Sequence, residues 1–453
     1  MSELNNIRKV YFIGIGGIGM SALARYFVSR GVEVSGYDKT RSALTKELED
    51  IKIPIHYEIN VDLIPKDVDV VVYTPAIPET NAEKVYYIEN GFKVVKRSDV
   101  LQWITESSFN ICVAGTHGKT TITTMIAHIL RHSGYGCNAF LGGISNNYNT
   151  NFWSNERNVV VAEADEYDRS FLKLTPDIAV ITAMDADHLD IYGTPEGVED
   201  AFIQFSQRLK LTGCLVNKYG LKRQNELKAA HQFSYELKDI NADVHADNIR
   251  IVNGDYVFDA VAKNWIVKDI LLHMGGLHNI ENAIAAITVA KYLDIPEEKI
   301  RAAICVFKGV RRRFEYIIKS DKCVLIDDYA HHPAELKALI NGVRSLFPDK
   351  KMTVIFQPHL YSRTNDLADE FAKSLDMADE VILLPIYPAR ELPIEGVTSE
   401  LILNKMKLKQ KQVLSKENLK DWIKVAKPGL LVMAGAGDID LLVLPVKAIL
   451  MNN

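Results

Sequence analysis

Along this chain, short apolar runs rich in β-branched residues stop abruptly at glycine-rich or polar loops, and helical periodicities separate one run from the next. The runs are Val10-Tyr11-Phe12-Ile13, Val32 to Tyr37, Val70-Val71-Val72-Tyr73, Phe109 to Val113, Val159-Val160-Val161-Ala162 and Ile178 to Thr182. Four more follow at Cys323 to Ile326, Met352 to Phe356, Glu380 to Leu384 and Gly429 to Met433. Runs that are apolar on both faces, alternating with helices, predict strands of parallel sheets in an α/β protein. Between about Lys222 and Trp265 the pattern changes to short strands and polar turns, which predicts a small inserted β-layer. An alanine-rich helix carrying Ala283, Ala285, Ala286 and Ala290 follows Gly275-Gly276.

A length of 453 residues exceeds one ordinary core. The pattern divides into three segments: 1–106, 107–311 and 312–453. A hydrophobic fraction of 47% with 25% charged residues is that of a globular protein, and a net charge of −5 leaves no footprint for general nucleic-acid binding. No apolar span is long enough to cross a bilayer and no charged-then-apolar leader opens the chain, so a cytoplasmic protein without a membrane partner is expected. The five cysteines are widely spaced and form no C-x-x-C pair, which predicts reduced, mostly buried thiols.

The chemistry lies where the predicted strands end. Gly14-Ile15-Gly16-Gly17-Ile18-Gly19-Met20-Ser21 is a G-x-G-x-x-G loop between a strand and a helix, and Asp38 follows at the end of the next strand. That arrangement suits a pyrophosphate and a ribose, either of NAD or of another nucleotide diphosphate. Thr74-Pro75-Ala76 forms a loop on the same predicted rim. Gly115-Thr116-His117-Gly118-Lys119-Thr120-Thr121 is a second loop of this kind, with a lysine to neutralise phosphate and hydroxyls to meet Mg²⁺. It is a shorter variant of the P-loop, because Val113 stands where the standard pattern has its first glycine, and it predicts use of ATP. Glu163 and His188 end the next two strands and can converge with Thr120 on Mg²⁺. His278 and Asn282 share one helix face, where capping and ligand contact are equally open to His278 and Asn279. The basic triplet Arg311-Arg312-Arg313 precedes a third set of strand-end loops, Asp327-Asp328-Tyr329-Ala330-His331-His332 and Gln357-Pro358-His359-Leu360-Tyr361-Ser362-Arg363.

In this order the motifs resemble the Mur ligase family across essentially the whole chain. The resemblance implies an α/β protein of three domains. These are a Rossmann-like N-terminal domain, a central P-loop ATPase domain with a parallel sheet and the small β-layer, and a C-terminal Rossmann-like α/β domain. It implies ATP-dependent joining of L-alanine to the lactyl carboxylate of UDP-N-acetylmuramate through an acyl phosphate, in peptidoglycan precursor synthesis. Carried over residue by residue, Gly14, Gly16, Gly17, Gly19, Met20, Ser21, Asp38, Thr74 and Ala76 would hold the UDP-sugar. Gly115, Thr116, His117, Gly118, Lys119, Thr120, Thr121, His278, Asn279, Asn282, Arg313, Asp328 and His331 would hold ATP. Thr120, Glu163 and His188 would bind Mg²⁺, while Tyr329, His359 and Arg363 would face the amino acid. Lys119, Glu163, His188, His359 and Arg363 form the implied catalytic set, with His359 or His331 as the base. A monomer or weak homodimer is expected.

Two departures stand out. No lysine occurs in Glu199-Asp200-Ala201-Phe202-Ile203-Gln204-Phe205, where several relatives carry a carbamylated one, and Leu360 replaces an arginine common after the histidine of the Gln-Pro-His loop. Three alternatives remain at this level: a ligase that attaches a whole tripeptide to the same sugar nucleotide, an NAD-dependent dehydrogenase, and a non-catalytic nucleotide switch.

Overall fold

A computed structural model describes residues 3–389 and 391–451. It resolves into two compact units. One contains the chain up to Asn248 with Phe258–Ile270 and Glu281–Phe307, and the other contains Ile249–Val257, Leu271–Ile280 and the chain from Lys308 onward.

The first unit opens with a five-stranded sheet. Its strands are β1 (Lys9–Ile13), β2 (Glu33–Tyr37), β3 (Ile55–His56), β4 (Val70–Tyr73) and β5 (Val94–Lys96), in the order β3-β2-β1-β4-β5. All its pairings are parallel. The order reverses direction at β1, so the crevice at a topological switch point opens where Gly14 begins the loop.

A ten-stranded sheet follows, built from β6 (Phe109–Ala114), β7 (Asn138–Ser145), β8 (Thr150–Trp153), β9 (Val159–Glu163), β10 (Ile178–Ile181), β11 (Cys214–Lys218), β12 (His231–Glu236), β13 (Val244–Val252), β14 (Asp255–Ala262) and β15 (Trp265–Leu272). Its order is β15-β14-β13-β12-β11-β10-β6-β9-β7-β8. The polar-turn region beyond Lys222 forms strands, but not the short ones expected: β12 to β15 have 6, 9, 8 and 8 residues, and β12 extends the central sheet by parallel pairing with β11. The sheet's center is apolar on both faces: β6, β9 and β10 are buried almost throughout, and the helix Lys119–His132 is buried from Thr120 to Leu130. The antiparallel pair β7–β8 carries no strong sequence signal, yet it receives the helix Ile18–Ser29 of the first sheet. Tyr26 packs on Phe140 and Phe152 at centroid distances of 5.4 and 6.1 Å, and Asn151 Nδ2 donates to Ile18 O at 2.6 Å and Ser21 Oγ at 2.8 Å. Both glycine loops thus belong to one packed body.

The second unit is built on a six-stranded sheet of β16 (Glu315–Lys319), β17 (Val324–Asp328), β18 (Met352–Phe356), β19 (Glu380–Leu383), β20 (Lys411–Val413) and β21 (Leu430–Ala434). The order is β16-β17-β21-β18-β19-β20, with only the edge strand β16 antiparallel. Strands β17, β18 and β21 end together, which gathers the third set of loops on one rim. All five cysteines are free; Cys112, Cys137 and Cys214 are buried, and Cys305 and Cys323 partly so.

Candidate functional site

The first glycine loop is held from its own side by a carboxylate. Gly14 N and Ile15 N donate to Tyr37 O, and Asp38 accepts from Gly16 N at 2.8 Å and Thr40 N at 2.9 Å. Asp38 therefore braces the turn with both oxygens. Glycine is required at position 16 because a Cβ there would sit 2.6 Å from Thr45 Cγ2 and 2.9 Å from Asp38 Oδ2. The helix Ile18–Ser29 starts from Gly17 without a side-chain cap, so its first N–H groups are not satisfied by a capping side chain. Met20 and Ser21 are buried, and Ser21 is spent on Ile18 O and Asn151; Ala76 is exposed. A cavity of about 290 Å³ is lined by Gly17, Gly19, Thr74, Arg97, Gly142 and Glu163, among others. It runs from this loop to the carboxylate that ends β9. Arg97 crosses it, donating to Asp165 Oδ2 at 2.8 Å while lying where a Cβ on Gly19 would be 2.7 Å from its Nη1.

The second loop leaves β6 through Gly115 and Gly118, whose φ angles of 134° and 80° favor glycine. Space restricts them as well. A Cβ on Gly115 would be 2.0 Å from Thr182 Oγ1, and one on Gly118 would be 2.8 Å from Asn282 Oδ1. Thr182 donates to His117 O and Thr116 N donates to Ala183 O, so β10 holds the loop open. His117 and Thr116 lie near Asp185 on the exposed side. Lys119 Nζ donates to Gly115 O and to Glu166 Oε1, each at 2.7 Å. Thr121, the third residue of the helix Lys119–His132, is buried.

Thr120 Oγ1 donates to Glu163 Oε1 at 3.2 Å, which puts a hydroxyl and a carboxylate side by side. Gly142 on β7 makes room for that carboxylate, since a Cβ there would be 2.0 Å from Glu163 Oε2. Such oxygen donors fit Mg²⁺, which keeps several waters and needs only a few protein ligands. His188 is the N-cap residue of the short helix Leu189–Tyr192 at φ 52°, and its ring lies edge-on to Tyr167 at 5.2 Å. Among the described residues, no group of three His, Cys, Asp or Glu side chains is arranged to hold a metal.

In the second unit, Asn279 closes the turn before its helix by donating to Gly275 O at 2.7 Å, while His278 is exposed beside Gly276. Asp328 accepts from Phe314 N and Ala330 N, each at 2.7 Å, and so fixes the backbone next to Arg313. Arg313 is exposed, whereas the neighboring Arg312 is turned inward toward Asp327 and Gly435 O. Burial pushes Asp328 up to about 6 and Asp327 up to about 7, the second against the pull of Arg312.

His331 Nδ1 donates to Tyr329 O at 2.9 Å, which leaves Nε2 as the lone-pair nitrogen. Its ring meets Tyr329 at 5.2 Å and His359 at 5.9 Å, and His359 stacks on Tyr387 at 5.8 Å. Burial holds both imidazoles below the usual histidine range, opposed at His331 by Glu335. Each is thereby favored in the neutral form that can accept a proton. His359 Nδ1 and Arg363 Nη1 are buried without a partner among the described residues. An unmade buried hydrogen bond costs about 1–3 kcal/mol, so two on one loop point to a polar ligand there. Leu360 between them sits at φ 70°, held by Leu360 N to Tyr387 O at 2.9 Å and by Thr364 Oγ1 to Leu360 O at 2.8 Å. A non-glycine residue in that region costs on the order of 1–3 kcal/mol, which the two flanking anchors sustain.

Sequence reasoning missed Arg97, Asp165, Glu166 and the inward turn of Arg312. Asp165 and Glu166 stand directly after Glu163, but no spacing rule separates a carboxylate that binds a neighbor from one facing solvent. Only burial does so.

Comparison with known proteins matches residues 9–108 to the Mur ligase family catalytic domain, 113–290 to the Mur ligase middle domain and 312–442 to the Mur ligase glutamate ligase domain. A UDP-N-acetylmuramate–L-alanine ligase of Flavobacterium johnsoniae is 48% identical, with 100% of both chains covered. One from Parabacteroides distasonis is also 48% identical, over 99% of this chain and 98% of its own. Among solved structures, the UDP-N-acetylmuramate–alanine ligase of Thermotoga maritima superposes with a TM-score of 0.82 at 28% identity, covering 98% of each chain. A murein peptide ligase of Psychrobacter arcticus shares the fold, with a TM-score of 0.65 at 22% identity over 98% of this chain and 99% of its own.

Proposed function

The chain belongs to the Mur ligase family, and from that premise we propose that it joins L-alanine to the lactyl carboxylate of UDP-N-acetylmuramate at the expense of ATP. The observation that carries this reading is its end-to-end similarity to ligases named for that reaction. The assignment of domains follows the motifs: 1–106 for the UDP-sugar, 107–311 for ATP and 312–453 for the amino acid.

The Gly14–Gly19 loop and the free N–H groups of its helix hold the sugar nucleotide's diphosphate. The Gly115–Thr121 loop holds the triphosphate of ATP, with Asn282 beside it; His278, Asn279, Arg313, Asp328 and His331 are assigned to the nucleotide by their motifs. Thr120 and Glu163 would be the oxygen donors for Mg²⁺, with His188 assigned to them, and the cation would supply neutralization of phosphate charge there.

The lactyl carboxylate attacks the γ-phosphorus, ADP leaves, and the resulting acyl phosphate is attacked by the uncharged amine of alanine with loss of phosphate. Lys119 stabilizes the negative charge gathered during phosphoryl transfer. The amine's proton passes to a neutral imidazole, His331 at Nε2 or His359, and Arg363 grips the alanine carboxylate with its unspent Nη1. Without a lysine near Glu199, no carbamate takes part. No helix among the described residues is long and apolar enough to cross a membrane. The reaction is assigned to the cytoplasm and to a monomer or weak homodimer.

ADP release from the purified protein, with Mg²⁺, UDP-N-acetylmuramate and a panel of L-alanine, L-serine, glycine and the stem tripeptide, tests the reading. Turnover greatest with L-alanine is expected. Turnover only with the tripeptide would assign the recycling reaction instead, and a nicotinamide absorbance change without ADP release would assign a dehydrogenase.

A further inference from the structure

We propose that Glu166 is a positioning residue that aims the ammonium of Lys119 at the bound triphosphate. The inference rests on the proposed role of Lys119 as the phosphate-neutralizing cation.

An ammonium has three N–H donors in fixed tetrahedral directions. Two of them are committed, to Gly115 O and to Glu166 Oε1, each at 2.7 Å. That leaves one N–H of the ammonium for the anion that the loop is proposed to hold. One anchor is main chain and survives any substitution; the other is a single side chain.

Glu166 is built to hold that place. Its side chain is 2% exposed and that of Lys119 15%. Its backbone carbonyl accepts from Tyr192 Oη at 2.6 Å and from Arg169 N at 3.0 Å. The next loop is clamped by Asp165, which takes Tyr167 N on Oδ1 and Arg97 on Oδ2. Asp168 and Arg169 run through φ angles of 52° and 60°, a conformation that persists only where the surroundings enforce it. The second oxygen, Oε2, is buried without a partner among the described residues, so Lys119 is the one side chain on which the carboxylate spends its hydrogen bonding. Burial raises the Glu166 carboxyl against the opposing pull of Lys119. A site chosen for stability alone would not bury a carboxylate so incompletely satisfied. Freed of this anchor, the flexible four-carbon stem of lysine would disperse the charge over many rotamers.

The test uses Glu166→Ala, Glu166→Gln, Lys119→Ala and the double variant Lys119→Ala/Glu166→Ala in the full chain. The readouts are calorimetric binding of ATP without the other substrates, and kcat and KM for ATP in the full reaction. Glu166→Ala should weaken ATP binding and lower kcat/KM by about tenfold or more, while UDP-N-acetylmuramate binding stays at the wild-type value and certifies the fold. Glu166→Gln keeps an acceptor oxygen for Lys119 and should recover most of that loss. In the Lys119→Ala background, adding Glu166→Ala should cost nothing further, because a positioning residue has nothing left to position. Equal damage from Gln and Ala, or full additivity in the double variant, would overturn the proposal by giving Glu166 a role independent of Lys119. Wild-type protein that binds ATP but releases no ADP with sugar nucleotide and alanine would overturn the proposed reaction while leaving the Lys119–Glu166 cycle readable in the binding data.

Discussion

Two loops of this protein share a grammar of strand, glycines and helix start, and they are built on opposite electrostatic plans. The Gly14–Gly19 loop contains no cation, and the carboxylate beside it, Asp38, spends its oxygens on the backbone N–H groups of Gly16 and Thr40. In the Gly115–Thr121 loop, a lysine is pinned by a main-chain carbonyl and a buried glutamate, and a hydroxyl is paired with a second carboxylate. A diphosphate that is only held needs N–H groups and space. A phosphoryl group that is transferred needs charge placed in advance, and that charge has to be oriented by neighbors. Under the proposed function, the difference teaches that glycine spacing marks where an anion is held, while the carboxylates around a loop mark what is done to it.

The largest expected effect separates the two plans directly. Lys119→Ala should lower kcat on the order of 10³-fold with UDP-N-acetylmuramate affinity unchanged. Near-normal ADP release from that variant would erase the distinction. Gly16→Val provides the reciprocal change. A side chain there collides with Thr45 and Asp38, so sugar-nucleotide binding should weaken by about 10–100-fold while ATP binding measured by calorimetry holds. A parallel loss of ATP affinity would mean that the loops serve one ligand.

Arg363→Lys sharpens the contrast from outside both loops. It keeps the charge and loses the planar fork, so the apparent KM for L-alanine should rise about tenfold with KM for ATP little changed. Unchanged alanine saturation would place the acceptor elsewhere.

The smallest effect concerns a third strand end. Asp38 at the end of β2 is satisfied; Asp327 at the end of β17 is buried with Oδ1 unpartnered, and its carboxyl is raised to about 7. Because the folded value lies above the unfolded one of 3.8, this group's contribution to stability is fully present below that value and is lost as pH rises through about 7. Asp327→Asn should match wild type at pH 4 and exceed it by about 2 °C in Tm at pH 8. A Tm difference that does not change with pH would show that Asp327 is not the titrating group.

Much of this was legible without coordinates. The β9 run Val159 to Glu163 and the β6 run Phe109 to Ala114 read as buried strands, because they are largely apolar on both faces and rich in β-branched residues. The glycines at 14, 16, 115 and 118 announced strand-to-helix loops by spacing alone. The β7–β8 pair was not legible. Its residues Asn138, Gly142, Gly143 and Asn151 look like a loop, and it becomes a strand pair because β9 offers it an edge and Tyr26 packs against it.

The amino-acid sequence by itself determined where strands end, which loops expose N–H groups and where a lysine or carboxylate stands, since these follow from local periodicity and residue type. Only the tertiary structure decided which carboxylate meets which partner. Asp38 turned to Gly16, Glu166 to Lys119 and Asp165 to Arg97, and the inward arginine is Arg312 while its neighbor Arg313 is exposed. The three carboxylate choices depend on burial and on contacts between residues 22 to 68 positions apart, and no local pattern encodes such distances.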